Sequence, residues 1–179
     1  MMRELSLNVL DIAQNSISAK ATLIEIEVLE NTFEHTLLIK ISDNGKGMTK
    51  EQVINVKDPF FTTRTTRKVG MGIPLFKMAA EMTGGFLEIE SEVGVGTKLS
   101  ASFNTDSVDF VPLGDMCSTI SMLITMNIEI EFIYIQKLDE NEFVLDTREL
   151  KTILGDVPLN EPDIAEWIKE YIKENINNL

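Results

Sequence analysis

The chain has 179 residues, 44% hydrophobic and 25% charged, which is enough for one ordinary globular domain with or without a sizeable appendage. Its formal net charge of −13 disfavours general nucleic-acid binding, because an acidic surface repels phosphate backbones. With one cysteine, Cys117, no signal-peptide pattern and no apolar run long enough to span a membrane, the sequence predicts a cytoplasmic protein without a membrane segment.

The first hundred residues alternate between helical and strand patterns. In chain order they predict a helix from about Glu4 to Ala19, strands at 22–30 and 36–43, a short helix at 49–56, a helix from Gly72 to about Met82, and strands at 86–92 and 97–103. The two strand pairs indicate hairpins that join in one sheet. This order predicts an α+β fold with a helical layer on one face of a mostly antiparallel sheet.

The remaining residues follow a linker-like stretch at 104–112. They predict an apolar helix at 114–126, a hairpin of strands 127–136 and 142–146, a short helix at 147–154, and an amphipathic terminal helix capped by Asn160. We therefore expect two domains, 1–104 and 105–179, the second being a small α/β extension of helix, hairpin and helix used for interaction or dimerisation. The apolar strand at 127–136 would promote aggregation if its edge were unpaired, so it is either covered internally or part of an interface.

Three polar features are candidates for chemistry. Asn8, Asp11 and Asn15 share one face of the first predicted helix, and carboxylate and amide oxygens suit Mg²⁺. The motif DNGKGM at 43–48 places a carboxylate at a strand end beside two glycines, where a flat ligand could approach. In the stretch 58–76, two glycines precede a helix start, where free amides and the helix dipole favour phosphate.

Each feature alone has an ordinary structural explanation, namely a solvated helix face, a tight turn or a glycine before a helix. Their order and spacing together resemble the sequence boxes of the GHKL superfamily of gyrase-type topoisomerases, heat-shock chaperones, histidine kinases and mismatch-repair ATPases. The likeness covers about residues 4–104. It is most similar in type to the ATP-binding domain of sensor histidine kinases and to stand-alone anti-sigma-factor serine kinases. It implies a Bergerat-type fold, a two-layer α/β sandwich that binds ATP and Mg²⁺.

The resemblance also implies roles for individual residues. Asp11 would be the catalytic base or would merely help to bind the metal, Asn15 would hold Mg²⁺, and Asp43 would accept a hydrogen bond from the adenine amine. The other nucleotide-binding positions that it implies are Gly45, Gly47, Met48, Phe60, Phe61, Arg64, Arg67, Lys68, Gly70, Gly72 and Thr97. Within this set Phe60 and Phe61 would anchor a lid, the three basic residues would contact phosphate, and Thr97 would share a water with Asp43.

Two positions depart from the family pattern. Asp11 stands where hydrolysing members have glutamate and many histidine kinases have asparagine, and Pro74 stands where a third glycine is usual. The single histidine, His35, falls in a predicted turn, which argues against a self-contained autokinase.

Three functions remain open at this point. The leading one is an ATP-dependent kinase or regulator that acts on an unidentified protein partner. The second is an ATP-gated switch with slow hydrolysis, and the third is an inactive nucleotide-binding module that docks through its C-terminal region. Formation of a homodimer is compatible with each of them.

Overall fold

A computed structural model of the chain describes residues 3–60 and 71–179. The helices are α1 (Leu5–Ser18), α2 (Lys50–Asn55), α3 (Gly72–Met82), α4 (Met116–Met126), α5 (Thr147–Leu154) and α6 (Pro162–Asn177). The strands are β1 (Leu23–Asn31), β2 (Thr36–Asp43), β3 (Phe86–Glu92), β4 (Gly96–Asn104), β5 (Glu131–Leu138) and β6 (Asn141–Asp146).

All six strands form one sheet in the order β3-β4-β2-β1-β5-β6. Every neighbouring pair is antiparallel except β1 and β5, which are parallel. Alternate residues of β1 and β2 are buried, so one face of these strands packs against the helices. The predicted α+β class, with helices on a mixed and mostly antiparallel sheet, is confirmed.

The core lies between this sheet face and the helices. The apolar stripe of α1 is buried, and α1 packs against both α3 and α4. The rings of Phe76 on α3 and Phe103 on β4 lie 5.5 Å apart between centroids. Complete burial of an apolar side chain of this size contributes roughly 1.5–3 kcal/mol, so this packing helps to fix α3 against β4.

The C-terminal elements differ from the sequence prediction in two details. The predicted strand at 127–136 begins only at Glu131, because residues before it form a turn in which the Ile130 amide donates to the Asn127 carbonyl. Asn160 does not cap the last helix. Its N-cap residue is Glu161, without a side-chain cap bond, and Pro162 follows at the first helical position, which suits proline.

β5 and β6 extend the sheet formed by the earlier strands. Because β5 pairs with β1 on one side and with β6 on the other, it is internal to the sheet, which agrees with the expectation that this apolar strand is covered. The division into domains 1–104 and 105–179 stays a prediction, and both parts contribute strands to the same sheet.

Candidate functional site

The carboxylate of Asp43 lies at the end of β2, on the helix-covered side of the sheet. The Ser16 hydroxyl on α1 donates to its Oδ2 atom at 2.6 Å, and the Gly45 amide donates to its Oδ1 atom at 2.8 Å. Thr97 is the residue opposite Asp43 on β4. The structure thus brings Asp43, Gly45 and Thr97 together, as the sequence predicts, and adds Ser16 to them.

The loop after Asp43 is held against the hairpin that connects β3 and β4. The Gly94 amide donates to the Lys46 carbonyl at 2.7 Å, and the Met48 amide donates to Ser91 Oγ at 2.8 Å. Gly47 has a φ of +69°, and a Cβ atom there would lie 1.9 Å from the Glu92 carbonyl oxygen. Glycine at this position is therefore required by contact with the protein's own backbone.

The same loop is also tied to the start of β1. Asn44 Oδ1 accepts from the amides of Thr22 and Leu23 at 2.8 Å and 3.0 Å. A Cβ atom at Gly45 would lie 2.9 Å from that of Ala19, so α1 and the loop touch closely. Contacts on both sides fix where Asp43 points.

Three residues of this network were missed by the sequence analysis: Ser16, Asn44 and Ser91. A serine on the otherwise apolar stripe of α1, directly after Asn15, was the available signal for Ser16, which is only 3% exposed. Nothing in the local sequence indicated Ser91, because its role depends on how the hairpin meets the loop.

Asp11 lies against the first turn of α3. A Cβ atom at Gly72 would be 3.0 Å from Asp11 Cβ and 3.5 Å from Asp11 Oδ2, so the side chain sits where α3 begins. Burial raises the pKa of the Asp11 carboxyl above its ordinary value. The free amides of a helix start favour negative charge, which makes this junction of α1 and α3 suitable for phosphate.

The other polar residues on this face of α1 differ in exposure. Asn15 is exposed, whereas Asn8 is 2% exposed, and its Nδ2 atom has no hydrogen-bond partner among residues 3–60 and 71–179. Over the same residues, no three His, Cys, Asp or Glu side chains converge on a metal position. The residues present fit a magnesium ion held through few protein ligands, since Mg²⁺ usually keeps waters and phosphate oxygens around it.

A shallow cleft of about 380 Å³ opens beside Asp43. Ser91, Gly96, Thr97 and Lys98 are among the residues that line it. A second cleft, of about 460 Å³, lies between α4 and α6 and is lined by none of the predicted site residues. Of the predicted site residues, Asp43 and Thr97 line the first cleft. Its lining also includes Ser42, Glu90 and Lys98, which alternate with the buried residues and so lie on the sheet face away from the helices.

Part of the predicted site lies outside the described residues, namely Phe61, Arg64, Arg67, Lys68 and Gly70. Of the remaining candidates, Met48 is half-buried, and Phe60 is 91% exposed with its amide donating to Asp58 Oδ1. The ligand-binding and catalytic roles assigned to all these residues stay predictions.

His35 lies in the turn between β1 and β2, with its Nδ1 atom 3.2 Å from Asp106 Oδ1. Asp43 is at the opposite end of β2, and eight residues of strand span about 26 Å. The histidine is therefore remote from the candidate site.

The chain matches one protein family over residues 1–107, that of the histidine kinase-, DNA gyrase B- and HSP90-like ATPases. It belongs to this family. The assignment confirms the resemblance that the motifs indicated, and the matched residues include Asp11, Asn15 and Asp43.

Curated relatives of this ATPase-family chain include sensor kinases. Sporulation kinase D of Bacillus subtilis is 28% identical over 92 residues, which are 51% of this chain and 18% of that protein. The C4-dicarboxylate transport sensor protein DctB of Pseudomonas aeruginosa is 28% identical over 96 residues, 53% of this chain and 16% of that protein. The matched segment thus spans less than a fifth of either relative.

Solved structures share the fold of this ATPase-family chain. The N-terminal domain of a DNA repair protein superposes with a TM-score of 0.58 at 14% identity, covering 87% of this chain and 58% of that one. The ATPase domain of Aquifex aeolicus MutL, complexed with ADP, superposes with a TM-score of 0.51 at 19% identity and covers 86% of this chain and 70% of that one.

No helix within residues 3–60 and 71–179 is long and apolar enough to cross a membrane.

Proposed function

We propose that the protein binds ATP with Mg²⁺ between Asp43 and the junction of α1 and α3, and that it transfers the γ-phosphoryl group to a partner protein or regulates that partner through the bound nucleotide. The observation that carries the proposal is the anchored carboxylate of Asp43 in a chain of the histidine kinase-like ATPase family. A similar fold is known with bound ADP, in the MutL ATPase domain.

The adenine end of the nucleotide would be read by Asp43. Its carboxylate has two fixed donors from the protein and keeps unused acceptor capacity for the exocyclic amine. Met48 would pack on the base, and Thr97 would share a water with Asp43. Because Gly45 and Gly47 have no side chains, the base and sugar could approach the backbone of the loop closely.

The phosphate end would lie at the junction of α1 and α3. The first turn of α3, from Gly72, would offer amides to phosphate oxygens, and Asn15 would hold the Mg²⁺ ion that neutralises their charge. Asp11 would accept the proton of the attacking hydroxyl or water. The raised pKa of its carboxyl makes it a stronger base than an ordinary aspartate.

The acceptor of the phosphoryl group would be supplied by another protein. His35, the one histidine among these 179 residues, is separated from the site by the length of β2 and is paired with Asp106. Phosphoryl transfer requires mainly alignment, metal and positive charge, so this small site could phosphorylate a hydroxyl or an imidazole of a docked partner.

We also propose that the protein acts in the cytoplasm and that its C-terminal elements contribute to partner binding or to a homodimer.

A second candidate is an ATP-gated switch with slow hydrolysis. It is favoured by the closeness of Asp11 to the start of α3, because a nucleotide bound there would push on α1 and α3, which pack against each other, and α1 also packs against α4. A module that only binds nucleotide would also bind ATP at this position but would not hydrolyse it.

The first experiment is calorimetric titration of the protein with ADP and with a non-hydrolysable ATP analogue, with and without Mg²⁺. Saturable binding supports the proposal, and absence of binding under all these conditions contradicts it. Labelling with γ-³²P-ATP in the presence of candidate partners then separates the functions. A labelled partner supports a kinase. Release of labelled phosphate alone supports a switch. If ATP binds but neither a labelled partner nor free phosphate forms, the protein is a module that only binds nucleotide.

A further inference from the structure

Asn8 is a buried polar residue of α1 whose hydrogen-bonding capacity is not met. Its side chain is only 2% exposed, and its Nδ2 atom finds no acceptor in the part of the chain that the structure describes, residues 3–60 and 71–179. A buried amide without a partner destabilises the folded protein, and such groups are rare. A second state of the protein, in which this donor is bonded, would account for it.

The carboxylate of Asp11 lies one helical turn after Asn8 on the same face of α1. Residues three apart on a helix have Cβ atoms about 5–6 Å apart, and helical side chains lean toward the N-terminus, so the Asp11 side chain lies over the turn that carries Asn8. Burial alone raises the pKa of the Asp11 carboxyl, and no donor or cation among the described residues opposes it. An acceptor without a donor is thus within reach of a donor without an acceptor.

The first turns of α3 pass this part of α1, because the two helices run in opposite directions. Ser16, near the end of α1, bonds to Asp43 at one end of β2. Thr83, just after α3, accepts from the Asn104 amide at the opposite end of the sheet. From its first residue, α3 therefore runs back along α1 and passes the level of Asn8.

Asp11 occupies the place that the proposed function gives to a phosphate group. Its Oδ2 atom is 3.5 Å from the position of a Cβ atom added to Gly72, the first residue of α3, where the helix dipole favours negative charge. Two anions at one helix start repel each other, so a bound phosphate would drive the Asp11 carboxylate away from Gly72. The unpaired amide of Asn8 lies on the side toward which that carboxylate leans.

We propose that Asn8 is a positioning residue, which binds the Asp11 carboxylate when a nucleotide phosphate replaces this carboxylate at the start of α3. In the free protein Asp11 lies at the helix start, and Asn8 Nδ2 has no acceptor within the described residues. In the nucleotide complex Nδ2 donates to the displaced carboxylate and fixes its direction for the reaction. The inference rests on the proposed nucleotide binding and deepens it, because it gives Asp11 two positions.

The test measures calorimetric binding of a non-hydrolysable ATP analogue with Mg²⁺, and thermal unfolding without ligand, for wild type, Asn8→Leu and Asn8→Ala. Both variants should bind the analogue about tenfold more weakly, because the displaced carboxylate loses its donor. Without ligand, at least one of them should melt about 2–6 °C higher than wild type, since the unpaired buried amide is gone. In an Asp11→Ala background, where the acceptor is absent, the same substitutions should change the affinity less than about twofold.

Ser6→Ala is the matched control, because Ser6 is a buried polar residue on the same helix and its hydroxyl donates to Glu4. It should leave the affinity for the analogue within about twofold of wild type. Unchanged affinity in both Asn8 variants, an equal loss in the Asp11→Ala background, or a lower melting temperature for both variants would overturn the role of Asn8. Failure of wild type to bind either ADP or the analogue would instead refute the proposed function.

Discussion

Two carboxylates lie at the same end of the sheet and have different surroundings. Asp43 of β2 and Glu131 of β5 flank the start of β1, opposite Ile24 and Leu23 respectively. Glu131 accepts from Thr147 Oγ1 at 2.6 Å and from Lys151 Nζ at 2.6 Å. Asp43 also accepts two bonds, but from a neutral hydroxyl and a backbone amide, and it has no cation beside it among the salt bridges of the described residues.

The surroundings of Glu131 and Asp43 show how a structural carboxylate differs from one that can bind a ligand. At Glu131, the Lys151 ammonium supplies the opposite charge and also donates to the Ile128 carbonyl, so it ties α5 to the turn before β5. At Asp43, orientation is fixed without neutralising the charge, beside an open cleft. Such a site keeps its electrostatic attraction for a donor that arrives from outside.

The largest effect should come from Asp11→Asn, which tests the catalytic step separately from recognition of the base at Asp43. Loss of a general base lowers turnover by about 10²- to 10⁴-fold, whereas ADP affinity should stay within about threefold. Steady-state ATPase or partner-labelling rates and calorimetry measure the two quantities. Unchanged turnover in Asp11→Asn would exclude Asp11 as the base.

Gly47→Ala should disrupt the loop that follows Asp43. The new Cβ would clash with the Glu92 carbonyl at a positive φ, so we expect a loss of about 2–4 kcal/mol in the free energy of unfolding. Gly94→Ala is the control, because Gly94 also has positive φ but no atom within 4 Å of an added Cβ, and it should cost about 1 kcal/mol. Urea denaturation measures both. Equal losses would mean that the contact with Glu92 is unimportant.

Asp43→Asn tests the comparison directly. The substitution replaces an acceptor by a group that also donates, so ADP affinity should fall by about 10- to 100-fold in calorimetry, with the fold retained by circular dichroism. Glu131→Gln is the matched change at the second carboxylate and should leave ADP affinity unchanged. If both variants bind ADP as wild type does, Asp43 does not read the base.

Lys151→Met removes the cation from Glu131 and should lower the free energy of unfolding by about 1 kcal/mol at pH 7, with ADP affinity unaffected. Burial raises the pKa of Glu131, but the bonds from Lys151 and Thr147 outweigh it and hold the pKa below the ordinary 4.5. The stabilisation is thus present above pH 4.5 and is lost as the pH falls through the lowered pKa. A difference between variant and wild type that does not shrink at any pH below 4.5 would contradict this.

The smallest effect concerns Asp11 in the free protein. Because burial raises its pKa, the folded state holds the proton more tightly, and stability declines as the pH rises above the ordinary value of 3.8. Asp11→Asn should lack this decline and be slightly more stable than wild type at neutral pH. Melting temperatures between pH 4 and pH 7 measure it, with Asp58→Asn, at an exposed loop carboxylate, as the comparison.

Local sequence predicted α1 well, because its apolar residues recur with the helical period and bury one stripe. The capping box of Thr49 and Gln52 likewise predicted the start of α2, and it is present in full. The parallel pairing of β5 with β1 could not be predicted in this way. The apolar residues of β5 could pair with either edge strand of the sheet formed by β1 to β4, which are β1 and β3. Which edge β5 joins depends on the path of the chain through α4.

The family, the strand alternation and the candidate residues Asp11, Asn15 and Asp43 could all be inferred from the sequence, because they depend on residue types at fixed spacing along one chain. Three features became visible only in the folded chain: Ser16 hydrogen-bonds to Asp43, Ser91 joins the loop to the β3–β4 hairpin, and Gly47 lies too close to Glu92 for any other residue. Each of these is a contact between segments distant in sequence. Hydrogen bonds and van der Waals contacts act over a few ångströms, so such pairs exist only once the sheet and helices are packed.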